Sequence, residues 1–335
     1  MKKLLMISTD AKILQEGSAV RARQEEYAKS WDEVHIIVFG ASGGEVVITP
    51  NCWAYPTNSS SKLMNPFAAM RLGRFLVEKR GITNITCQDP FLTSMTGVAL
   101  KKQFPQIEFE IQVHTDIGSS NFTYTLGNKT RKFLALNYLP KADHIRVVSN
   151  KIKDFLIEKL VIDASKIEVK PIVVDTEKVK AAQIIEGADL HKKYPQFEKI
   201  VLMASRLEKE KNIELAIKAW VKVIEKIPKA GLVIVGSGSK LPFLKALATN
   251  LKVEHEIIFE GWADQATLYS YYKTTDAFLN ASLFEGYGMT LIEAQAAGCK
   301  IISTDVGVAR EVGVEIIPFD SSEKVAESII TNLHV

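Results

Sequence analysis

The chain is 335 residues long, 47% hydrophobic and 24% charged, with a formal net charge of +3. That balance excludes a disordered, collagen-like or low-complexity chain, and at ~100–200 residues per domain it favours two globular domains. No apolar run approaches the ~18–20 residues of a membrane span, the first apolar run reaches Asp10 too early for a signal peptide, and the distant Cys52, Cys87 and Cys299 form neither a disulfide framework nor a zinc motif, which fits a reducing cytoplasm.

Short apolar runs alternate with longer amphipathic stretches from end to end. Strands are predicted at 4–8, 34–39, 85–88, 109–113, 145–149 and 167–173. A second series follows at 200–204, 232–235, 257–259, 277–279, 300–303 and 315–317. The clearest helix runs from Asn212, which reads as its N-cap, with Ile213, Ile217, Trp220 and Ile224 on one stripe. Strands alternating with helices make βαβ units and parallel sheets. Such sheets are covered on both faces, which accounts for runs as uniformly apolar as Val233-Ile234-Val235. The expectation is an α/β chain of two doubly wound domains, residues 1–175 and 176–335, with the change near 175–198. Ligands of open parallel sheets bind beyond the carboxyl ends of the strands, so functional residues should follow the strands and face a cleft between the domains.

Charge is spread unevenly. Residues 1–170 hold 23 Lys+Arg against 17 Asp+Glu, and the remainder holds 19 against 22. A basic first half fits an anionic partner or simply a solvated surface. No aromatic RNP box or Cys/His finger points to nucleic acid, and none is expected as a partner.

The densest chemical stretch is Ser282-Leu283-Phe284-Glu285-Gly286-Tyr287-Gly288-Met289-Thr290-Leu291-Ile292-Glu293-Ala294, after the strand at 277–279. Gly286 and Gly288 let backbone approach a ligand. A helix predicted from Met289 to a C′ glycine at Gly298 turns its free N–H groups and positive dipole end toward the loop. Glu285 and Glu293 can then face one pocket, although Thr290-x-x-Glu293 equally reads as a capping box that only closes the helix start. A second stretch, Ser205-Arg206-Leu207-Glu208-Lys209-Glu210-Lys211, follows the strand at 200–204. Arg206 and Lys211 offer a guanidinium fork and an ammonium suited to a diphosphate, while Lys209 and Glu210 read as a solvated charge run. A third, Gly236-Ser237-Gly238, lacks the last glycine of a dinucleotide fingerprint because position 241 is Leu241, which disfavours a dehydrogenase.

In this order, with Phe259-Glu260-Gly261-Trp262 between them and Asp305-Val306-Gly307-Val308-Ala309-Arg310-Glu311-Val312 after them, these segments resemble the C-terminal domain of retaining GT-B glycosyltransferases of family four. Glu285 and Glu293 match that family's E-x7-E signature over residues 200–320. The first half resembles it more faintly, at Gln15-Glu16-Gly17-Ser18 (the acceptor loop), at His114 after a strand, at Arg146-Val147-Val148-Ser149 and at Pro171-Ile172-Val173-Val174-Asp175. The resemblance implies a GT-B architecture of two Rossmann-like domains and a nucleoside-diphosphate sugar as donor. It implies that Arg206 and Lys211 hold the diphosphate in place of a metal, no D-x-D being present. Gly236, Trp262, Gly286, Tyr287, Gly288, Met289, Thr290, Leu291 and Glu293 would line the donor, Glu285 would contact sugar hydroxyls, and His114 would reach the sugar or its leaving oxygen. Gly17 and Ser18 would lie on the acceptor side, although the second glycine common in that loop is missing. Neither a cofactor nor a metal is expected.

The implied activity is metal-independent, retaining transfer of a hexose-type sugar to a cytoplasmic or lipid-linked acceptor. A nucleotide-sugar epimerase and a non-catalytic sugar-nucleotide-binding subunit share the fold and stay open. Family members usually continue into a long helix that crosses back onto the first domain, and here that helix is expected to be short or absent. Residues 65–80, with Phe67, Met70, Arg71, Arg74 and Phe75, read either as a core-packing helix with a charged outer face or as a helix touching the inner face of a membrane.

Overall fold

The structure, a computed structural model, describes residues 1–334. The chain divides after Pro171 into two compact units.

The first unit is built on an eight-stranded sheet. Its strands are β1 (Lys3–Ser8), β2 (Glu33–Val38), β3 (Val46–Thr49), β4 (Cys52–Pro56), β5 (Asn84–Cys87), β6 (Glu108–Val113), β7 (His144–Val147) and β8 (Ile167–Val169). They lie in the order β3-β4-β2-β1-β5-β6-β7-β8, all parallel except the β3–β4 hairpin. The hairpin was not expected from the sequence, and β7 and β8 are shorter than the predicted runs 145–149 and 167–173. Leu5, Ile7, Ile36, Ile37, Phe109 and Ile111 are fully buried, as strands of a covered parallel sheet require. Along β5 and β6 one face instead carries a polar ladder. Gln112 Nε2 donates to Thr86 Oγ1 at 2.9 Å and to Glu110 Oε1 at 3.2 Å, and the ladder ends at His114.

The second unit holds a six-stranded sheet of β9 (Lys199–Ala204), β10 (Ala230–Val235), β11 (Ile257–Gly261), β12 (Ala277–Asn280), β13 (Ile301–Thr304) and β14 (Glu315–Ile317). Every pair is parallel, and the order is β11-β10-β9-β12-β13-β14. The chain starts in the middle, builds outward one way, then returns to build the other way from β12. That reversal between β9 and β12 is the topological switch point of a doubly wound sheet, where ligands bind.

The helix Ile213–Lys226 buries Ile213, Ile217, Trp220 and Val223 in this unit's core, where Val325, Ile329 and Leu333 of the last helix, Ser322–His334, join them. Asn212 is not the side-chain cap that the sequence suggests. It adopts a left-handed conformation at φ 50°, and its Nδ2 donates 3.1 Å to Phe319 O, tying the loop to a distant segment. Asn is among the few side chains that tolerate that conformation.

Candidate functional site

The loop after β9 carries Arg206, Glu208, Glu210 and Lys211 to the switch point. Arg206 Nη2 lies 2.9 Å from Glu210 Oε1, and Lys211 Nζ lies 2.5 Å from Glu285 Oε1. Glu208 is used differently: one oxygen accepts from Ser239 N at 2.8 Å and the other from Ser239 Oγ at 2.7 Å. Those bonds, the backbone one first, hold its carboxyl below the usual range and clamp the loop to residues 236–239 after β10. Gly236 permits the close approach. At φ +134° a Cβ there would stand 1.9 Å from Ser205 O, so no other residue fits without moving the backbone. Gly236 N in turn donates 2.6 Å to Gly261 O, which brings Trp262 alongside. Arg206, Gly236, Trp262 and Thr290 thereby border one cavity of about 210 Å³, in which Trp262 remains 77% exposed.

The loop after β12 supplies the other wall. Buried Asn280 accepts from Ser282 N at 3.2 Å and lies 2.7 Å from Ser282 Oγ, and that hydroxyl is 2.9 Å from Glu285 Oε1. Leu283 N donates 2.8 Å to Glu210 O, so the two loops are joined backbone to backbone. Gly288, left-handed at φ +92°, turns the chain into the helix Met289–Ala296. The amides of Gly288, Met289 and Thr290 precede any i→i−4 bond of this helix. Leu291 differs from expectation: its amide donates to Gly288 O at 3.0 Å and its side chain is fully buried in the core. Gly298, at φ +85° after the last turn, is the C′ residue.

Glu293 does not form a capping box, because the N-cap is Gly288 and no side chain closes the helix start. Its Oε2 instead accepts from the buried Tyr272 hydroxyl at 3.2 Å. Burial raises the Glu293 carboxyl above the usual range, and the Tyr272 bond works against that rise. Tyr287 is half-buried. Its carbonyl accepts from Val308 N at 2.9 Å, which fixes the residues around Gly307 against the loop.

The remaining expected residues belong to the first unit. Gly17, at φ +75°, turns the chain after a short helix, and Ser18 caps the helix Ala19–Ala28 by accepting from Arg21 N at 3.1 Å while donating to Lys12 O at 2.6 Å. Ser18 is thus occupied structurally. His114 follows β6, with Nε2 3.1 Å from Gln112 Oε1. Since the Gln112 amide nitrogen already donates to Thr86 and Glu110, its oxygen is the acceptor, which places the His114 proton on Nε2. The ring keeps surface exposure, yet enough protein surrounds it that desolvation, then the Arg146 charge, lowers its pKa below the usual histidine range. It is therefore neutral at pH 7. A larger cavity of about 520 Å³ opens beside Leu4, Asn84, Glu108, His144 and Ile167, at the amino ends of the first unit's strands, the end opposite to where parallel sheets bind ligands.

Three side chains of this region were not singled out by the sequence. Ser282 and Tyr272 hold the two glutamates, and Glu210, expected in a solvated run, is a 16%-exposed partner of Arg206. The i, i+4 spacing of Arg206 and Glu210 was the one signal available. Tyr272 lies 21 residues from Glu293, beyond any local pattern.

Comparison with known proteins agrees with this topology. Residues 189–331 match the family model for glycosyl transferases group 1, and residues 24–178 match that for glycosyltransferase family 4. Alpha-monoglucosyldiacylglycerol synthase of Streptococcus pneumoniae is 31% identical over 178 residues, 51% of this chain and 40% of its own length. The chain spans less than half the length of the first curated relatives it matches, 29% and 40%. The structure of sucrose-phosphate synthase from Thermosynechococcus elongatus superposes with a TM-score of 0.78 at 18% identity, over 100% of this chain and 90% of that one. Anabaena HepE in complex with UDP and glucose gives a TM-score of 0.71 at 16% identity, over 99% and 89%. With the Arg206–Lys211 loop and the Glu285/Glu293 loop meeting at the switch point of a GT-B-type sheet, the chain belongs to the group 1 glycosyl transferases.

Proposed function

We propose that the protein is a retaining, metal-independent glycosyltransferase that moves a hexose-type sugar from a nucleoside diphosphate to a cytoplasmic or lipid-linked acceptor. The observation that carries this reading is the convergence of Arg206 and Lys211 with Glu285 through two loops tied at Leu283 N and Glu210 O. Arg206 and Lys211 take the diphosphate and offset the negative charge that grows on the departing nucleoside diphosphate. These fixed cations do the electrostatic work that a metal does elsewhere. The early amides of the helix Met289–Ala296 add donors for phosphate or sugar oxygens. Trp262 offers its exposed ring to the base. Glu293 accepts from the ribose hydroxyls, which favour its ionised form, and Glu285 takes the donor-sugar hydroxyls. The neutral His114 serves the sugar or its leaving oxygen, and Gly17 and Ser18 lie on the acceptor side. HepE, solved with UDP and glucose, supports a nucleotide-sugar donor. Epimerisation needs a base poised at the sugar, whereas Glu285 is held by Lys211.

The lipid-linked form of the acceptor is supported by one surface. The helix Asn65–Arg80 buries Ala69, Gly73 and Leu76 but leaves Phe67 53% and Phe75 54% exposed beside Arg71 and Arg74, with Leu63 79% exposed just before it. An apolar and basic face of this kind lies in an anionic interface. Among the described residues no helix is long and apolar enough to cross a membrane.

Incubation with labelled nucleotide-sugars tests the reading. Transfer or donor hydrolysis with retained anomeric configuration supports it, sugar isomerisation turns it to an epimerase, and binding without turnover leaves a non-catalytic subunit. Sedimentation with anionic vesicles, lost in Phe67→Ser/Phe75→Ser, tests the membrane face.

A further inference from the structure

Each of the two cations assigned to the diphosphate already has an internal anion. Lys211 Nζ contacts Glu285 Oε1 at 2.5 Å, and Arg206 Nη2 contacts Glu210 Oε1 at 2.9 Å. Each of these two cations is therefore offset by a carboxylate of the chain itself. Glu285 has a role toward the sugar in the reading above; Glu210 has none. The Glu210 carboxylate is nevertheless 16% exposed, whereas its partner Arg206 is 71% exposed. Its backbone is tied to Leu283 N at 2.8 Å, which keeps the residue at the seat and its carboxylate within reach of Arg206. A diphosphate seated there stays close to a like charge, which weakens its binding.

Resting on the donor-site reading, we propose that Glu210 is the resident counter-ion of the diphosphate seat, lowering affinity for the nucleoside diphosphate and so hastening its departure after transfer. Affinity shared equally by ground state and transition state does not speed chemistry, and release of product limits turnover in many enzymes. A carboxylate that returns to Arg206 as the product leaves replaces the interaction being broken. Glu210 is a positioning residue in this account, because it acts through Arg206.

The opposite role, in which Glu210 merely holds Arg206 in a binding posture, predicts the opposite sign. The test is titration calorimetry of inorganic pyrophosphate, UDP, GDP and ADP into wild type, Glu210→Gln and Glu210→Ala, at two salt concentrations, with thermal melts as folding controls. Glu210→Gln keeps the side-chain shape and removes the charge. It should bind pyrophosphate and the preferred nucleoside diphosphate about two- to fivefold more tightly, the range of one solvent-screened charge, with a steeper salt dependence because the seat is then net positive. Glu210→Ala should shift in the same direction. Unchanged or weaker binding in both variants overturns the proposal. Pyrophosphate tightened by Glu210→Gln with no nucleoside diphosphate binding better than pyrophosphate upholds the counter-ion and overturns the nucleotide-sugar reading. Absence of binding by every probe overturns both.

Discussion

Lys211 and Glu285 lie 74 positions apart in sequence, yet Nζ of one is 2.5 Å from Oε1 of the other, and their side chains are 12% and 18% exposed. The cation assigned to the phosphates and the carboxylate assigned to the sugar therefore form one ion pair. Arg206, at 71% exposure, is the looser member. Lys211→Ala and Arg206→Ala should each lower donor turnover about 10–100-fold, the worth of one charge-assisted contact. They should differ in stability. Lys211→Ala breaks a pair in which both side chains are largely covered and should cost on the order of 1–3 kcal/mol, whereas Arg206→Ala removes a solvent-screened guanidinium from Glu210 and should cost less, about 1 kcal/mol at most. Wild-type turnover in both variants would return Arg206 and Lys211 to a solvated charge run.

Glu285→Gln should separate binding from chemistry. The amide keeps the side-chain size and the Ser282 contact can re-form, so affinity for a bare nucleoside diphosphate should hold or rise as Lys211 is released. Turnover on the sugar donor should fall more than affinity does, as for an interaction that strengthens in the transition state. Equal losses in calorimetric affinity and in kcat would place Glu285 in ground-state binding alone.

Glu293 carries a pH signature. Its folded-state pKa is raised, by burial first, with the Tyr272 bond opposing. The native protein therefore holds that proton more tightly than the unfolded chain. The associated stability is present below the ordinary carboxylate pKa and is lost as pH rises through the folded value. The melting temperature of Glu293→Gln relative to wild type should accordingly climb from about pH 4.3, the ordinary glutamate value, and level off above the folded pKa. The same variant should lose ~1–3 kcal/mol of nucleoside diphosphate affinity, because an amide replaces a charged acceptor of ribose hydroxyls. A flat difference in melting temperature with pH, together with wild-type affinity, would leave Glu293 a structural residue.

Metal dependence gives an independent check. Turnover should survive exhaustive EDTA treatment unchanged, since Arg206 and Lys211 meet the diphosphate charge. Complete loss of turnover, restored by Mg²⁺ or Mn²⁺, would contradict that assignment.

The strands of the second unit were legible because both faces of a parallel sheet are covered, so a run such as Val233-Ile234-Val235 is uniformly apolar and bounded by turns. The hairpin of β3 and β4 was not, since Val47 is 57% exposed at a sheet edge and Cys52–Pro56 mixes Trp, Tyr and Pro with no clean alternation. Glu285, Lys211 and Arg206 could be named because each follows a strand in a compact local pattern. The ties that fix their loops could not be, because those partners are remote: Lys211 meets Glu285 from 74 residues away, Glu208 grips Ser239 from 31, and Asn212 binds Phe319 O from 107. Glu293 looked like half of a capping box on spacing alone, and only the left-handed turn at Gly288 shows that the helix begins two residues before Thr290 would cap it.

The central claim is that the loops after β9 and β12 form a diphosphate seat. Titration calorimetry of UDP, GDP and ADP into wild type and the Arg206→Ala/Lys211→Ala double variant tests it most directly. The account predicts saturable binding of at least one of the three by wild type, at least 100-fold weaker in a double variant that still melts cooperatively, the combined worth of two charge-assisted contacts. Equal affinity in the two proteins would contradict it.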